Sequence, residues 1–282
     1  MAKEVAKTET KLPATDINRM MREDSGYGVS NRPEDNIVPQ VKVLQPLSPE
    51  VMDGPDRVEG AKAGDFMLGD KLISGKRGIW FQPSFFDHKL FEFTPLEQGG
   101  GFVAEHPIPK DEVGKPLFDS TGQPAMPRGA SKSGKFQYEV NGNSLIHYRQ
   151  VPGHVWEDKK GLEYVIAFKG TGHTVAREWM SKAGRANRFP DGTQRALYAH
   201  VYKLTTQARR NSKGQWFQVE VGDPVCLDPD VSPEVSQVVD DPLTAYRMGQ
   251  ALNRAFSAGE RTVAAPAEAR ESSQESDDVV PF

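Results

Sequence analysis

A single cysteine, Cys226, stands in a chain of 282 residues. No internal disulfide can form, and no cysteine cage can hold a metal. No stretch approaches the roughly 18 apolar residues of a membrane-spanning helix. The opening Met1-Ala2-Lys3-Glu4 lacks the apolar run of a secretory signal. These absences predict a soluble, cytoplasmic protein with no membrane partner. Phosphate-loop spacing is missing too, since Gly170-Thr171-Gly172 reads as a short turn, and there is no Gly-x-Ser-x-Gly elbow.

The six histidines, at 88, 106, 147, 154, 173 and 200, show neither His-x3-His nor His-Glu-x-x-His spacing. Cys226 has acids and prolines around it in the chain and no basic neighbour to activate it. Asp65, Asp70, Glu92 and Glu105 lie at strand ends, as nuclease carboxylates often do, but no acid-x-Lys signature follows. The expectation is a protein that is not an enzyme, with no cofactor and no metal.

What is present begins with charge. The net charge of −4 conceals a strong asymmetry. Residues 128–215 hold 16 Lys and Arg against 6 acids; residues 223–241 hold no base; and from Glu268 to Phe282 five acids face Arg270 alone. A basic middle followed by acidic sequence suggests an anionic ligand for the body and another partner for the end.

Hydrophobic residues at 37%, with 26 Gly and 21 Pro, suggest a β-rich, loop-rich core. Residues 1–35 read as a flexible arm, with a short helical turn near Ile17–Met21. Residues 36–223 read as one domain, 224–259 as an acidic linker and C-terminal helix, and 260–282 as a disordered acidic tail. Alternation marks a first strand at Ile37–Leu44, a short one at Ala63–Asp70, and an aromatic segment at Lys76–Thr94. Further strands are expected near 144–157 and 162–169, and a hairpin at Leu197–Val221 turning on Asn211-Ser212-Lys213-Gly214. Residues 106–135, rich in Pro, Gly, Lys and Ser, read as a long excursion with little structure.

Val175, Trp179 and Ala183, spaced i, i+4, i+8, predict a helix over Thr174–Ala183. Asp241-Pro242 reads as the N-cap and first residue of another, through Phe256. The fold class expected is mainly β, an OB-type five-stranded barrel elaborated with extra strands and loops, with one internal and one C-terminal helix. A plain β-sandwich is the alternative.

Aromatic and basic residues interleave on the expected strands. Trp80, Phe81, Lys89, Phe91, Tyr148, Arg149 and Lys169 form one set; Lys203, Arg209, Arg210, Lys213 and Trp216 lie on the closing hairpin. Arg177, Lys182, Arg185 and Arg188 lie on or after the internal helix. Single-strand binding needs cations for phosphates and rings for bases. About half the rings should face a core instead, because alternate strand positions do.

The end of the chain is sharper. Ala264–Ser276 is small, polar or charged apart from Pro266, and then come Asp277, Asp278, Val279, Val280, Pro281 and Phe282. Exposed apolar residues beside acids suit a partner with an apolar pocket and a basic rim, and Pro281 limits the conformations lost on binding.

That ending resembles the acidic tip of bacterial single-stranded-DNA-binding proteins. The body is more similar to phage-encoded single-stranded-DNA-binding proteins with an enlarged OB-fold. Ile37–Gln45, Phe168–Thr171, Ala176–Trp179, Leu197–Leu204 and Asn211–Phe217 carry this second likeness. The resemblance implies a protein that coats single-stranded DNA in replication, recombination or repair. Its tip would recruit a polymerase, primase, helicase or recombinase, and the likeness leaves room for a homo-oligomer. The 106–135 excursion departs from a plain OB barrel. A second reading is a virion or scaffold protein whose tip docks on a protein partner.

Overall fold

The computed structural model describes residues 37–113, 115–119, 124–132, 138–212, 214–258 and 262–263. The expected N-terminal arm, Lys213, and the tail with its tip lie outside these residues. In chain order the strands are β1 (Ile37–Val38), β2 (Val41–Val43), β3 (Phe66–Leu68), β4 (Lys71–Ile73), β5 (Ile79–Pro83), β6 (Asp87–Phe93) and β7 (Phe102–His106). Then come β8 (Ala130–Lys132), β9 (Tyr138–Val140), β10 (Asn143–Glu157), β11 (Lys160–Phe168), β12 (His200–Asn211), β13 (Gly214–Cys226) and β14 (Thr262–Val263). Helix α1 spans Gly172–Ala186 and α2 spans Pro242–Ser257.

The centre of the fold is β10, fifteen residues long. Its length gives it four partners. One edge pairs with β6 over residues 144–150 and with β5 over 153–156; the other pairs with β9 over 143–145 and with β11 over 149–157. The sheet therefore runs β13-β12-β5-β10-β6-β7, with β11, β9 and β8 branching from it. It fans out from β10 and does not return on itself. β2-β3-β4 form a separate small sheet, tied to β11 by an isolated bridge between Gln40 and Val165. The mainly-β content and the two helices stand, but the expected closed OB-type barrel is replaced by open sheets.

Turn chemistry explains the hairpins. Asp158 and Lys159 both have positive φ (45° and 63°) between the paired residues Glu157 and Lys160, the backbone of a tight two-residue hairpin. Asn141-Gly142, also at positive φ, joins β9 to β10 in the same way. Within the 106–135 excursion, β8 pairs with β9. Further bridges join Lys110 to Pro116 and Phe118 to Pro124.

Both faces of the β13-β12-β5-β10-β11 arm are covered. On one, α1 buries Val175, Ala176, Trp179 and Ala183 against Phe81, Val151, Phe168, Tyr202 and Leu204, with Phe66, Leu68 and Ile73 from the small sheet in the same cluster. Trp179 is fully buried, edge-on to Phe81, Phe86, Phe168 and Tyr202 at 5.5–6.3 Å between centroids. On the other face Trp156, Val201, Val225 and Ala245 form a second cluster beneath α2.

Buried Gln82 locks this second face. Its Nε2 donates to the carbonyls of Tyr198 (2.7 Å) and Ala245 (2.9 Å), and its Oε1 accepts from Trp156 Nε1 (3.0 Å). Gly249 lets α2 come this close, because a Cβ there would sit 2.5 Å from Tyr198 Cβ. Asp241 caps α2 as its sequence position predicts, accepting from Leu243 N at 3.0 Å.

Candidate interaction surface

The residues expected to line a groove for single strands divide into several environments. Phe81, Phe91 and Tyr148 are at most 2% exposed and belong to hydrophobic clusters, so they cannot stack on a base. Arg149 is buried as well. Its cross-strand neighbour His88 and its near neighbours His147 and His173 form a stack, with centroids 5.2 and 4.5 Å apart and His88 Nδ1 3.0 Å from His147 Nε2.

Burial, then nearby charge, lowers His88 and His173 to about 4 and His147 to about 2. The charge is mainly Arg149 for His88 and His173, and His173 for His147. All three rings are neutral at pH 7. Burial and then Arg177 also pull the Arg149 guanidinium below its ordinary range.

The remaining cations are spread over different elements. Burial opposes the charge of Lys89, but Glu105 (2.5 Å) and Asp87 (3.6 Å) hold its ammonium above the usual range. Lys182 donates to the Val221 carbonyl at 2.7 Å, and Arg188 to those of Gly184 and Gly192. Arg177 and Arg185 are exposed on α1, Arg209 and Arg210 on the distal part of β12, and Lys169 is half-buried after β11. Trp216 is half-buried, with its indole N–H enclosed.

One juxtaposition of the expected set does form. Lys203 Nζ lies 5.2 Å from the Trp80 ring centroid across the β12–β5 pair. With Arg77 and Trp156 they line an open groove of about 410 Å³. Burial and then Arg77 lower the Lys203 ammonium.

The acids considered for catalysis do not converge. Glu92 is buried on β6, accepting from Asn143 Nδ2 and paired with His106 Nε2, both at 2.5 Å. The Asn143 bond lowers its carboxyl, burial opposes that, and His106 lowers it further. Asp65 caps backbone N–H groups of Lys62 and Gly75. Among the described residues no three His, Cys, Asp or Glu side chains group as metal ligands. Cys226 corrects the reading from sequence: the fold brings Arg195 Nη1 to 3.0 Å from its sulfur.

The feature that sequence reading missed is the edge at β7. Among the described residues β7 pairs only with β6, so its other edge is unpaired. Phe102 and Val103, each 46% exposed, stand on it. The chain beyond it exposes Val113, Leu117 and Phe118. Exposed apolar side chains on a free edge are a template for strand addition by another chain. Alternation would have flagged Phe102-Val103-Ala104 as a strand, but not as a terminal one.

The architecture is thus that of a mainly-β protein with open sheets and an apolar free edge. The chain belongs to the Pam3 phage gp34-like protein family, whose model matches residues 7–262. No curated protein and no solved structure matches it. The expected kinship with OB-fold single-stranded-DNA-binding proteins does not hold, because the matching family is a different one and the sheets are open. Single-stranded DNA and replication or recombination proteins as partners, implied by that resemblance and by the interleaved basic and aromatic residues, are not supported by the open, non-barrel sheets. Among the described residues no helix is long and apolar enough to cross a membrane.

Proposed function

We propose that this chain is a non-catalytic phage interaction protein, a virion or scaffold component that docks on protein partners in the host cytoplasm. The observation that carries this reading is the edge of β7 that no described residue pairs with, with Phe102 and Val103 exposed on it. An extended segment of a partner adds there as a strand, its backbone satisfying the free edge and its apolar side chains covering the two exposed residues. The acid-apolar segment Asp277–Phe282 supplies a second docking element, in which the acids meet a basic rim and the apolar residues fill a pocket. Membership of a phage family supports the setting.

The test uses the full chain, a chain lacking residues 277–282, and a Phe102→Lys/Val103→Lys variant, each supplied during infection by a phage encoding it. Purified particles and assembly intermediates are immunoblotted. The full chain should co-sediment with one of them, and each change should reduce its share. A full chain absent from both fractions overturns the reading.

A further inference from the structure

A cavity of about 380 Å³ opens where the chain after α1 meets the start of β12 and the end of β13. Arg195 reaches into this region from the loop, its backbone N–H fixed to the Asn187 carbonyl at 2.7 Å. Its guanidinium donates to Cys226 Sγ and lies 4.6 Å from the Phe189 ring centroid. Arg188 also lines the cavity, and none of the lining residues is a carboxylate. His200 in the wall is 3% exposed, and among the described residues its Nδ1 has no hydrogen-bond partner. Burial, then the charge of Arg195, lowers His200 to about 4.

The half-buried Arg195 guanidinium has no acid in the surrounding walls. An oxyanion supplies the missing charge partner, accepting charge-assisted hydrogen bonds from Arg195. Beside Arg188 and Ser232 the rest of the lining is mostly apolar, with Phe189 and Val231 exposed at the surface. The ligand therefore carries its charge on an apolar body. We propose that this cavity binds a compact organic anion, a carboxylate or phosphate ester, with the oxyanion against Arg195 and the apolar body against Phe189 and Val231.

Equilibrium dialysis of the full chain against benzoate, phenyl phosphate and inorganic phosphate tests this. At least one aromatic anion should bind saturably at one site per chain, and which binds tighter identifies the head group. Inorganic phosphate should bind at least tenfold more weakly, because it has no apolar body. Arg195→Met should weaken binding at least tenfold and Arg195→Lys less. Val231→Asp, placing a carboxylate on an exposed wall, should weaken it similarly and serves if Arg195→Met does not fold. No saturable binding of either aromatic anion up to about 10 mM, or binding untouched by Val231→Asp and by any folded Arg195 variant, overturns the proposal.

Discussion

The two arms that diverge from β10 are stabilised by different physics. The β13-β12-β5-β11 arm lies between two helices, and its interior is apolar around Trp179 on one face and Trp156 on the other. The β6-β7-β9-β8 arm has smaller clusters, an unpaired edge, and charged or titratable groups inside it: the Glu92–His106–Asn143 set and the histidine stack at its root. Burial of apolar surface does not depend on pH, whereas a buried imidazole that must stay neutral does. Both arms hold such imidazoles, His154 and His200 in the covered one, so the first arm is the scaffold by its burial and the second is the part open to partners.

The largest expected effect is acid destabilisation that begins at the histidine stack. His88, His147 and His173 have folded values below the unfolded 6.5. Unfolded rings take up protons first as pH falls, so stability is complete above about 6.5 and declines towards the folded values, about 4 for His88 and His173 and about 2 for His147. Each ring contributes up to about 1.4 kcal/mol per pH unit in that window, reduced by solvent screening. His154 and His200 on the covered arm add to the total. Hydrogen exchange at pH 4.5 against pH 7.5 should show β6 and β7 amides losing protection before those of β5 and β12. Equal loss in both arms would break the comparison.

Trp179→Ala should cost about 3–5 kcal/mol in urea unfolding, the range for emptying a fully buried indole site. Gln82→Leu should cost about 2–3 kcal/mol, since it leaves the Trp156 N–H and two carbonyls unsatisfied beneath α2. Phe102→Ser on the edge strand should cost about 1–1.5 kcal/mol, since only about half of the ring is covered, by Phe91 and Phe93. A large loss there would mean that β7 belongs to the scaffold.

Several elements were legible because their signals are local. The Val175/Trp179/Ala183 stripe, the Asp241 cap and the turn at Asn211 each depend on residues within a few positions. The candidate surface was less legible. Nothing local distinguishes Phe91, packed inside the sheet, from Phe102, exposed on its edge, since both are strand phenylalanines and the difference is which strand has a second neighbour. The Arg195–Cys226 contact was equally hidden, because the two residues are separated by a hairpin and meet only when β12 and β13 pair.

The sequence by itself determined that this chain is mainly β with two helices, where its hairpins turn, and how its charge is distributed, because periodicity, turn chemistry and composition act over short distances. The tertiary structure decided that the sheets stay open. Closure depends on which edges of β10 are taken by β5, β6, β9 and β11, and those are pairings across most of the chain that alternation alone does not rank.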